Sequence, residues 1–451
     1  MGTHTAPRPH VVIVGAGFGG LIAAQSLADA PVDVTVVDRS NHHLFQPLLY
    51  QVATAGLSPA EIAAPVRAVL ADQHNARVLL ADVVGVDTEK RVVKLGGDGG
   101  PGELKYDFLV MATGARNNYF GHDAWAEHAL GLKTIDDAVE IRRRVLLAYE
   151  AAERETDAER RKQLLTFVVI GGGPTGVEMS GALAELSRHV LAKDFRSISP
   201  KATRVVLIEA GPRVLGGFDE TLSEKATVAL RSMGVDVWVQ AMVTDIGPGF
   251  VQLGGDRLTC SVVVWAAGVM ASELTESLNV PLDRGKRVLV EPDCSIPGHP
   301  EVFCVGDMTS FLHTEDKKPL PGVSPVAMQQ ARHVAQMVVN TLRKEPRSPF
   351  RYLDKGSMAT IGRSQAVMEL GPIKMDGFLA WLAWLFVHVW YLIGYRNRFV
   401  VMLTWAWSYF TYQRGARLIT GQRVMPSVKA LTSAPRPAAL PKEAEKPVAR
   451  A

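Results

Sequence analysis

Short apolar runs recur along the chain, each closed by glycine and followed by a stretch with helical spacing. Residues 10–14 form one such run and predict a buried strand, with a helix from about Phe18 to Ala28 after the turn. "VDVTVVD" at 32–38 predicts the next strand, completing a βαβ unit. Residues 76–95 alternate apolar and polar and predict antiparallel strands, "GGDGGPG" at 96–102 a turn, and 106–115 another buried strand. The charged stretch 140–163 predicts one helix with a solvated face. A second βαβ unit opens at Leu164 and ends on the strand 204–209. Further strands are expected at 235–240, 261–268 and 301–307, and a helix at 324–342. The fold class is α/β, with two Rossmann-like units.

Both turns carry glycine at the spacing that holds a dinucleotide. In "VVIVGAGFGG" (11–20), Gly15 permits the tight turn, Gly17 lets the backbone approach a pyrophosphate, and Gly20 lets helix pack on strand. The free N–H groups of the helix N-terminus then face the phosphates. Asp38 ends the following strand, where an acid meets a ribose 2′-hydroxyl. "VVIGGGPTGV" (168–177) repeats the device with Gly171, Gly173 and Gly176. Pro174 stands near the first helical position, where its missing N–H costs nothing. Glu209 closes the next strand; its carboxylate accepts from a free 2′-hydroxyl and repels a 2′-phosphate, favouring NADH over NADPH. Arg213 lies close enough in sequence to soften that preference.

With 451 residues, two or three domains are expected. Hydrophobic content of 47% and charged content of 21% describe a globular chain with a large core. A net charge of +3 is too small for a dedicated nucleic-acid binder, so no nucleic-acid partner is expected. The N-terminus shows no apolar signal segment. Cys260, Cys294 and Cys304 make no close pair, which argues against a metal site and removes the redox dithiol of many flavin reductases. Cys304 reads as a small core residue. His42 and His43 read as structural or as neighbours of a cofactor.

Together these features resemble the flavoproteins with two dinucleotide-binding domains. "ATG" at 112–114, "WAAGV" at 265–269 and "VFCVGD" at 302–307 match that superfamily. "HHLFQPLLYQVATAGLSPAEIAAPVR" (42–67), "GGGPTGVEMSGALAEL" (171–186), "GVSPVAMQQARHVA" (322–335) and "GFLAWLAWLFVHVWYLIGYRNRFVV" (377–401) narrow the likeness to type II NADH:quinone oxidoreductases. The resemblance runs from about His10 to Arg423. It implies noncovalent FAD on the first turn and NADH on the second, with the NADH domain inserted in the FAD domain. It also implies electron transfer to a membrane quinone, ubiquinone or menaquinone, without proton pumping. FAD contacts implied are Gly15, Gly17, Phe18, Gly19, Gly20, Asp38, Arg39, Gln51, Val84, Ala112, Thr113, Gly114, Asp307, Ala327, Met328 and Gln329. Asp307 is placed against the ribityl chain. NADH contacts implied are Gly171, Gly173, Pro174, Thr175, Gly176, Glu178, Glu209, Ala267 and Gly268. Glu178, near nicotinamide and flavin, and Gln329, near flavin and quinone, carry the catalytic roles. A bland reading of Glu178 is an acid of the first helical turn complementing the helix dipole. Ser324-Pro325 departs from the Ala-Gln pair of many members and puts one quinone contact in question.

The C-terminal segments 378–394 and 399–412 hold five of the eight tryptophans, with Arg396 and Arg398 between them and Arg414 and Arg417 beyond. At 17 and 14 residues they suit helices lying in one leaflet, arginines at the headgroups, better than a spanning hairpin. The expected organisation is an FAD domain at 8–118 and 281–365, an NADH domain at 119–280, membrane-anchoring helices at 366–425 and a disordered tail at 426–451. The enzyme is expected on the cytoplasmic side of the inner membrane, with a homodimer left open. The competing readings are a sulfide:quinone oxidoreductase and an NADH-binding flavoprotein redox sensor.

Overall fold

The computed structural model describes residues 8–97, 102–191, 194–315, 317–411 and 414–420. The tail expected at 426–451 and most of the turn expected at 96–102 lie outside them.

Two sheets organise the chain. The first runs in the order Ser295–Ile296, His299–Cys304, Phe108–Met111, His10–Val14, Asp33–Asp38, Ala76–Leu80. The second is the all-parallel series Ala129–Gly131, Val262–Trp265, Thr166–Ile170, Arg204–Ile208, Val235–Trp238. Each has its glycine turn after a central strand, His10–Val14 in one and Thr166–Ile170 in the other. All five residues of Thr166–Ile170 are buried, as a strand covered on both faces requires. The chain leaves the first sheet at Met111 and returns at Ser295, so the second unit is inserted in the first.

Three expectations change. Ala76–Leu80 is a parallel edge strand of the first sheet, paired with Asp33–Asp38, and only Val83–Asp87 and Val92–Leu95 pair antiparallel. The charged stretch is two helices, Ile135–Arg154 and Ala158–Leu164. Thr134 and Asp137 form a capping box that starts the first, and the Asp157 carboxylate accepts from Arg160 N at 2.8 Å and restarts the chain as a new helix. The third concerns residues assigned to 281–365. A three-stranded antiparallel sheet, Ser357–Gly362, Gln365–Leu370 and Ile373–Asp376, rests on the Pro174–Glu185 helix of the inserted unit. Gly181 allows it: a Cβ there would stand 1.7 Å from Ile361 O.

Two C-terminal helices, Gly377–Tyr391 and Tyr395–Thr411, follow. No helix among the described residues is long and apolar enough to cross a membrane. Their inner faces join the core through Ala380, Trp384 and Val401, while Leu379, Phe386, Trp390, Phe399, Leu403, Trp407 and Phe410 are exposed.

Candidate active site

The two turns share one geometry. Gly15 sits at φ +102°, and a Cβ on it would meet Ala112 O at 2.4 Å. A Cβ on Gly20 would meet Gly15 O at 1.7 Å, and one on Gly17 would meet nothing within 4 Å. At the second turn Gly171 has φ +107° and Ala266 O at 2.5 Å, Gly176 has Gly171 O at 1.8 Å, and Gly173 is again open. Thus one glycine in each turn needs the left-handed region, one keeps helix on strand, and one leaves room for a ligand. The acids match as well. Asp38 accepts from Ala16 N and Ser40 N, both at 2.6 Å. Glu209 accepts from Gly172 N at 2.5 Å and Gly211 N at 2.6 Å. Arg213 does not face Glu209: its guanidinium donates to the carbonyls of Phe218 (2.8 Å) and Gly216 (3.2 Å).

Around the first turn several polar groups lack a protein partner. The Asp307 carboxylate, in the short turn Gly306–Met308, accepts no hydrogen bond from the described residues. Gln330 is fully buried; its Oε1 accepts from Gly306 N at 2.7 Å and its Nε2 has no partner. His43 places Nδ1 3.0 Å from Ala16 O and leaves a buried Nε2 unpartnered, with its basicity lowered by burial. Unpaired polar groups away from water are costly, and this set, with a donor in Gln330 Nε2 and acceptors in His43 Nε2 and Asp307, lies beside a glycine cradle and fits a large polar cofactor. Phe18 meets the His43 ring edge-on, centroids 5.0 Å apart. A Cβ on Gly19 would lie 2.9 Å from Val305 Cγ2 and 3.8 Å from Ala327 O. Thr113 donates to Met308 Sδ at 3.3 Å, and Gly114 takes φ +65° with open space around it. Ala112 and Met328 are buried, Arg39 is exposed, and Val84 is 63% exposed on the strand Val83–Asp87.

Beside the second turn Pro174 and Thr175 are exposed, and Ala267 and Gly268 follow the strand Val262–Trp265. Glu178 is the fifth residue of Pro174–Glu185, past the first turn, so the dipole reading of it does not hold. It lines an apolar cavity of about 700 Å³ between that helix, Leu49–Ala53, the Ser357–Gly362 strand and the two C-terminal helices. Its Oε1 accepts from Thr360 N at 3.3 Å, and burial pushes its carboxyl up to about 8. The Trp384 indole N–H, on the same cavity, faces the Glu178 carboxyl and favours its charged form, against the larger effect of burial. At the rim Glu185 pairs with Arg414 (2.8 Å), whose other nitrogen donates to Thr54 O at 3.0 Å. Arg414, expected at lipid headgroups, is instead mostly buried in that pair.

Two glutamines stand elsewhere than expected. Gln51 lines the cavity and not the cradle: Trp405 Nε1 donates to its Oε1 at 2.8 Å. Gln329 exchanges two hydrogen bonds with Leu353, donating to its carbonyl (2.9 Å) and accepting from its N–H (3.0 Å). The neighbouring Gln330 is the residue at the cradle. The helix Ser324–Leu342 buries Val326, Ala327, Gln330, Ala331 and Val334, and that helical spacing was the available signal. Ser324-Pro325 begins this helix, away from the cavity, with proline in the first turn where a missing N–H is tolerated.

The pyridine nucleotide-disulphide oxidoreductase family model matches residues 9–331, and the NDH2 C-terminal domain matches residues 355–412. The chain is 45% identical over 434 residues to type II NADH:quinone oxidoreductase Ndh of Mycobacterium tuberculosis, covering 93% of this chain and 92% of the relative. Its likeness to NdhA of the same organism is 44% over 431 residues, with coverage of 92% and 90%. Among solved structures, NDH2 from Plasmodium falciparum in complex with NADH superposes with a TM-score of 0.84 at 20% identity, over 91% of this chain and 99% of that one. The sulfide:quinone oxidoreductase of Aquifex aeolicus shares the fold at a TM-score of 0.70 and 20% identity, over 86% and 91%. Two glycine cradles of one design, an apolar cavity closed by the C-terminal pair of helices, and close relatives along nearly the whole length lead to one conclusion: the chain belongs to the type II NADH:quinone oxidoreductases.

Proposed function

We propose that the protein works at a membrane surface, oxidising NADH at the second turn and reducing a quinone in the cavity beside Glu178. When bound, FAD would supply the two-electron redox chemistry between NADH and the quinone. The residues of the chain bind, orient and manage protons. Gly17 and Gly173 leave the space that two pyrophosphates need. Asp38 and Glu209 keep acceptor oxygens for ribose hydroxyls, and the Glu209 charge disfavours a 2′-phosphate. Glu178 holds a proton at neutral pH because burial raises its carboxyl to about 8, and it presents that proton to the cavity where quinol oxygens need one. Gln329 acts at a distance, fixing the backbone at Leu353.

The single observation that carries this reading is the apolar cavity, which runs from Glu178 to exposed aromatic residues of the C-terminal helices. A quinone partitions into lipid, and Phe386, Trp390 and Phe410 both line the cavity and face outward. Those helices suit attachment to one leaflet, with tryptophans at the interface. The sulfide alternative needs thiols at the redox centre; Cys260, Cys294 and Cys304 are buried, free and absent from the cavity lining.

A bulky residue at exposed Ala406, on the cavity wall, tests the reading. Ala406→Trp is expected to suppress quinone reduction while NADH still reduces hexacyanoferrate, which needs no apolar pocket. Undiminished quinone turnover would place the quinone elsewhere.

A further inference from the structure

The cavity holds a polar relay that the sequence motifs do not assign. Tyr50, on the short helix Leu49–Ala53, is 6% exposed and lines the cavity. Gln51 beside it is held from the far end of the chain: Trp405 Nε1–H donates to Gln51 Oε1 at 2.8 Å. An indole nitrogen donates and never accepts, so this contact fixes which way the glutamine amide points. Its Nε2 therefore faces Tyr50 and donates to the phenol oxygen at 3.0 Å. A phenol oxygen that receives this bond still has its own proton to give. That proton has no acceptor among the described residues, and the space beside it is the cavity.

We propose that Tyr50 is the hydrogen-bond donor that recognises a quinone oxygen, and that Gln51 and Trp405 are positioning residues that keep its hydroxyl pointed as a donor. The proposal rests on the cavity being the quinone site. A para-quinone carries acceptor oxygens at both ends of its ring and no donors. An apolar pocket with a fixed hydroxyl donor on one wall and the Glu178 carboxyl on another suits that chemistry. A hydrogen bond from Tyr50 also strengthens as negative charge grows on the oxygen during reduction. Tyr50 keeps its proton throughout: burial and the nearby carboxylates of Glu178 and Glu185 hold its ionisation well above the usual tyrosine range. The two protons that complete the quinol come by way of Glu178 and solvent.

The experiment uses the full-length, FAD-loaded enzyme with NADH and a short-chain quinone, and hexacyanoferrate as the acceptor that needs no donor. Tyr50→Phe is expected to lower kcat/KM for quinone by about tenfold to a hundredfold, the weight of one hydrogen bond to an oxygen gaining charge. FAD content, melting temperature and hexacyanoferrate turnover stay as in the parent. Gln51→Glu gives the sharper test. The introduced carboxylate still accepts from Trp405, but it takes the Tyr50 proton for itself and turns the donor away from the cavity. Quinone reduction then falls as in Tyr50→Phe although the tyrosine remains. Trp405→Phe acts in the same direction and more weakly, and combined with Tyr50→Phe it adds little. Ala406→Trp separates the two levels of the argument. If it blocks quinone turnover while Tyr50→Phe and Gln51→Glu reduce quinone normally, the cavity stands and the Tyr50 assignment falls. If Ala406→Trp has no effect, the cavity assignment falls with it. Loss of FAD from Tyr50→Phe would also overturn the proposal, since it would make Tyr50 part of the flavin site.

Discussion

At Gly15 and Gly171 the backbone takes nearly the same positive φ, +102° and +107°, and each following carboxylate closes on two backbone N–H groups. What differs is the cover. The residue before the third glycine is Gly19 in one turn, where a side chain would strike Val305 and approach Ala327 O. In the other it is Thr175, which is exposed. The first turn lies against Val305, just past the returning strand His299–Cys304, and against the Ser324–Leu342 helix at Ala327, where Gln330 accepts from Gly306 N. At the second turn Pro174 and Thr175 are exposed, without such cover among the described residues. This difference in cover supports the proposal that the first cradle retains FAD and the second exchanges NADH. The sequence motif is the same; the insertion of one unit within the other makes the distinction.

The largest expected effect breaks the pair apart. A Cβ at Gly17 meets no protein atom within 4 Å, so Gly17→Val is expected to fold with its side chain in the phosphate space. It is expected to purify colourless and to lose all NADH oxidation. Gly173→Val, equally unobstructed, should keep its yellow colour while the KM for NADH rises at least about tenfold. Absorbance spectra and steady-state kinetics check both. A yellow Gly17→Val protein would remove the assignment of the first turn.

Next comes the cavity beside Glu178. Glu178→Gln should slow quinone reduction by about a hundredfold, the usual weight of a positioned acid, and change NADH-driven flavin reduction far less. Stopped-flow records the two half-reactions separately; equal losses in both would contradict the placing of Glu178 at the quinone. The same path needs a lipid-facing entrance. Leu403→Asp combined with Trp407→Asp alters two exposed side chains away from the cavity wall, and should lower partition onto phospholipid vesicles by about tenfold or more in a co-sedimentation assay.

Glu209→Gln sharpens the second cradle alone. It removes the charge that repels a 2′-phosphate, so the preference for NADH over NADPH should narrow by about tenfold, measured as a ratio of kcat/KM. With Arg213 tied to the Phe218 and Gly216 carbonyls, Arg213→Ala should leave that ratio nearly unchanged. A separate effect is on stability. Glu178 binds its proton in the folded state up to about pH 8 and releases it near 4.5 when unfolded. Between those values the native state holds the extra proton, so stability falls as pH rises. Glu178→Gln should raise Tm above pH 8 and change it little below pH 4.5.

The glycine turns were legible because their constraint is local: a positive φ and a missing Cβ are written in adjacent residues. The two parallel sheets followed from the apolar runs. The edge strand Ala76–Leu80 was misread because alternation reports exposure on one face and not strand direction. Gln329 was named from the motif alone; helical spacing buries its neighbour Gln330, which the motif does not single out. The Trp-rich segment was read chiefly as an anchor, yet Trp384 is 2% exposed, and its ring stacks on His388, whose own ring meets Phe45. That helix is both cavity wall and outer surface, so removing everything after Met375 would open the cavity as well as remove the exposed aromatic face. The contact between Gln51 and Trp405 spans 354 positions. Nothing within either segment announces the other, because a single side-chain pairing across the fold leaves no periodic trace.

The central claim is that one cradle retains its nucleotide while the other exchanges it, with the electrons leaving to a quinone. Purified protein passed through a desalting column without added nucleotide, then mixed rapidly with NADH and afterwards with a quinone, tests it most directly. The account predicts one FAD retained per chain, no retained NADH, bleaching of the yellow colour by NADH and its return on adding quinone. FAD lost on the column, or a bleached protein that quinone cannot restore, would contradict it.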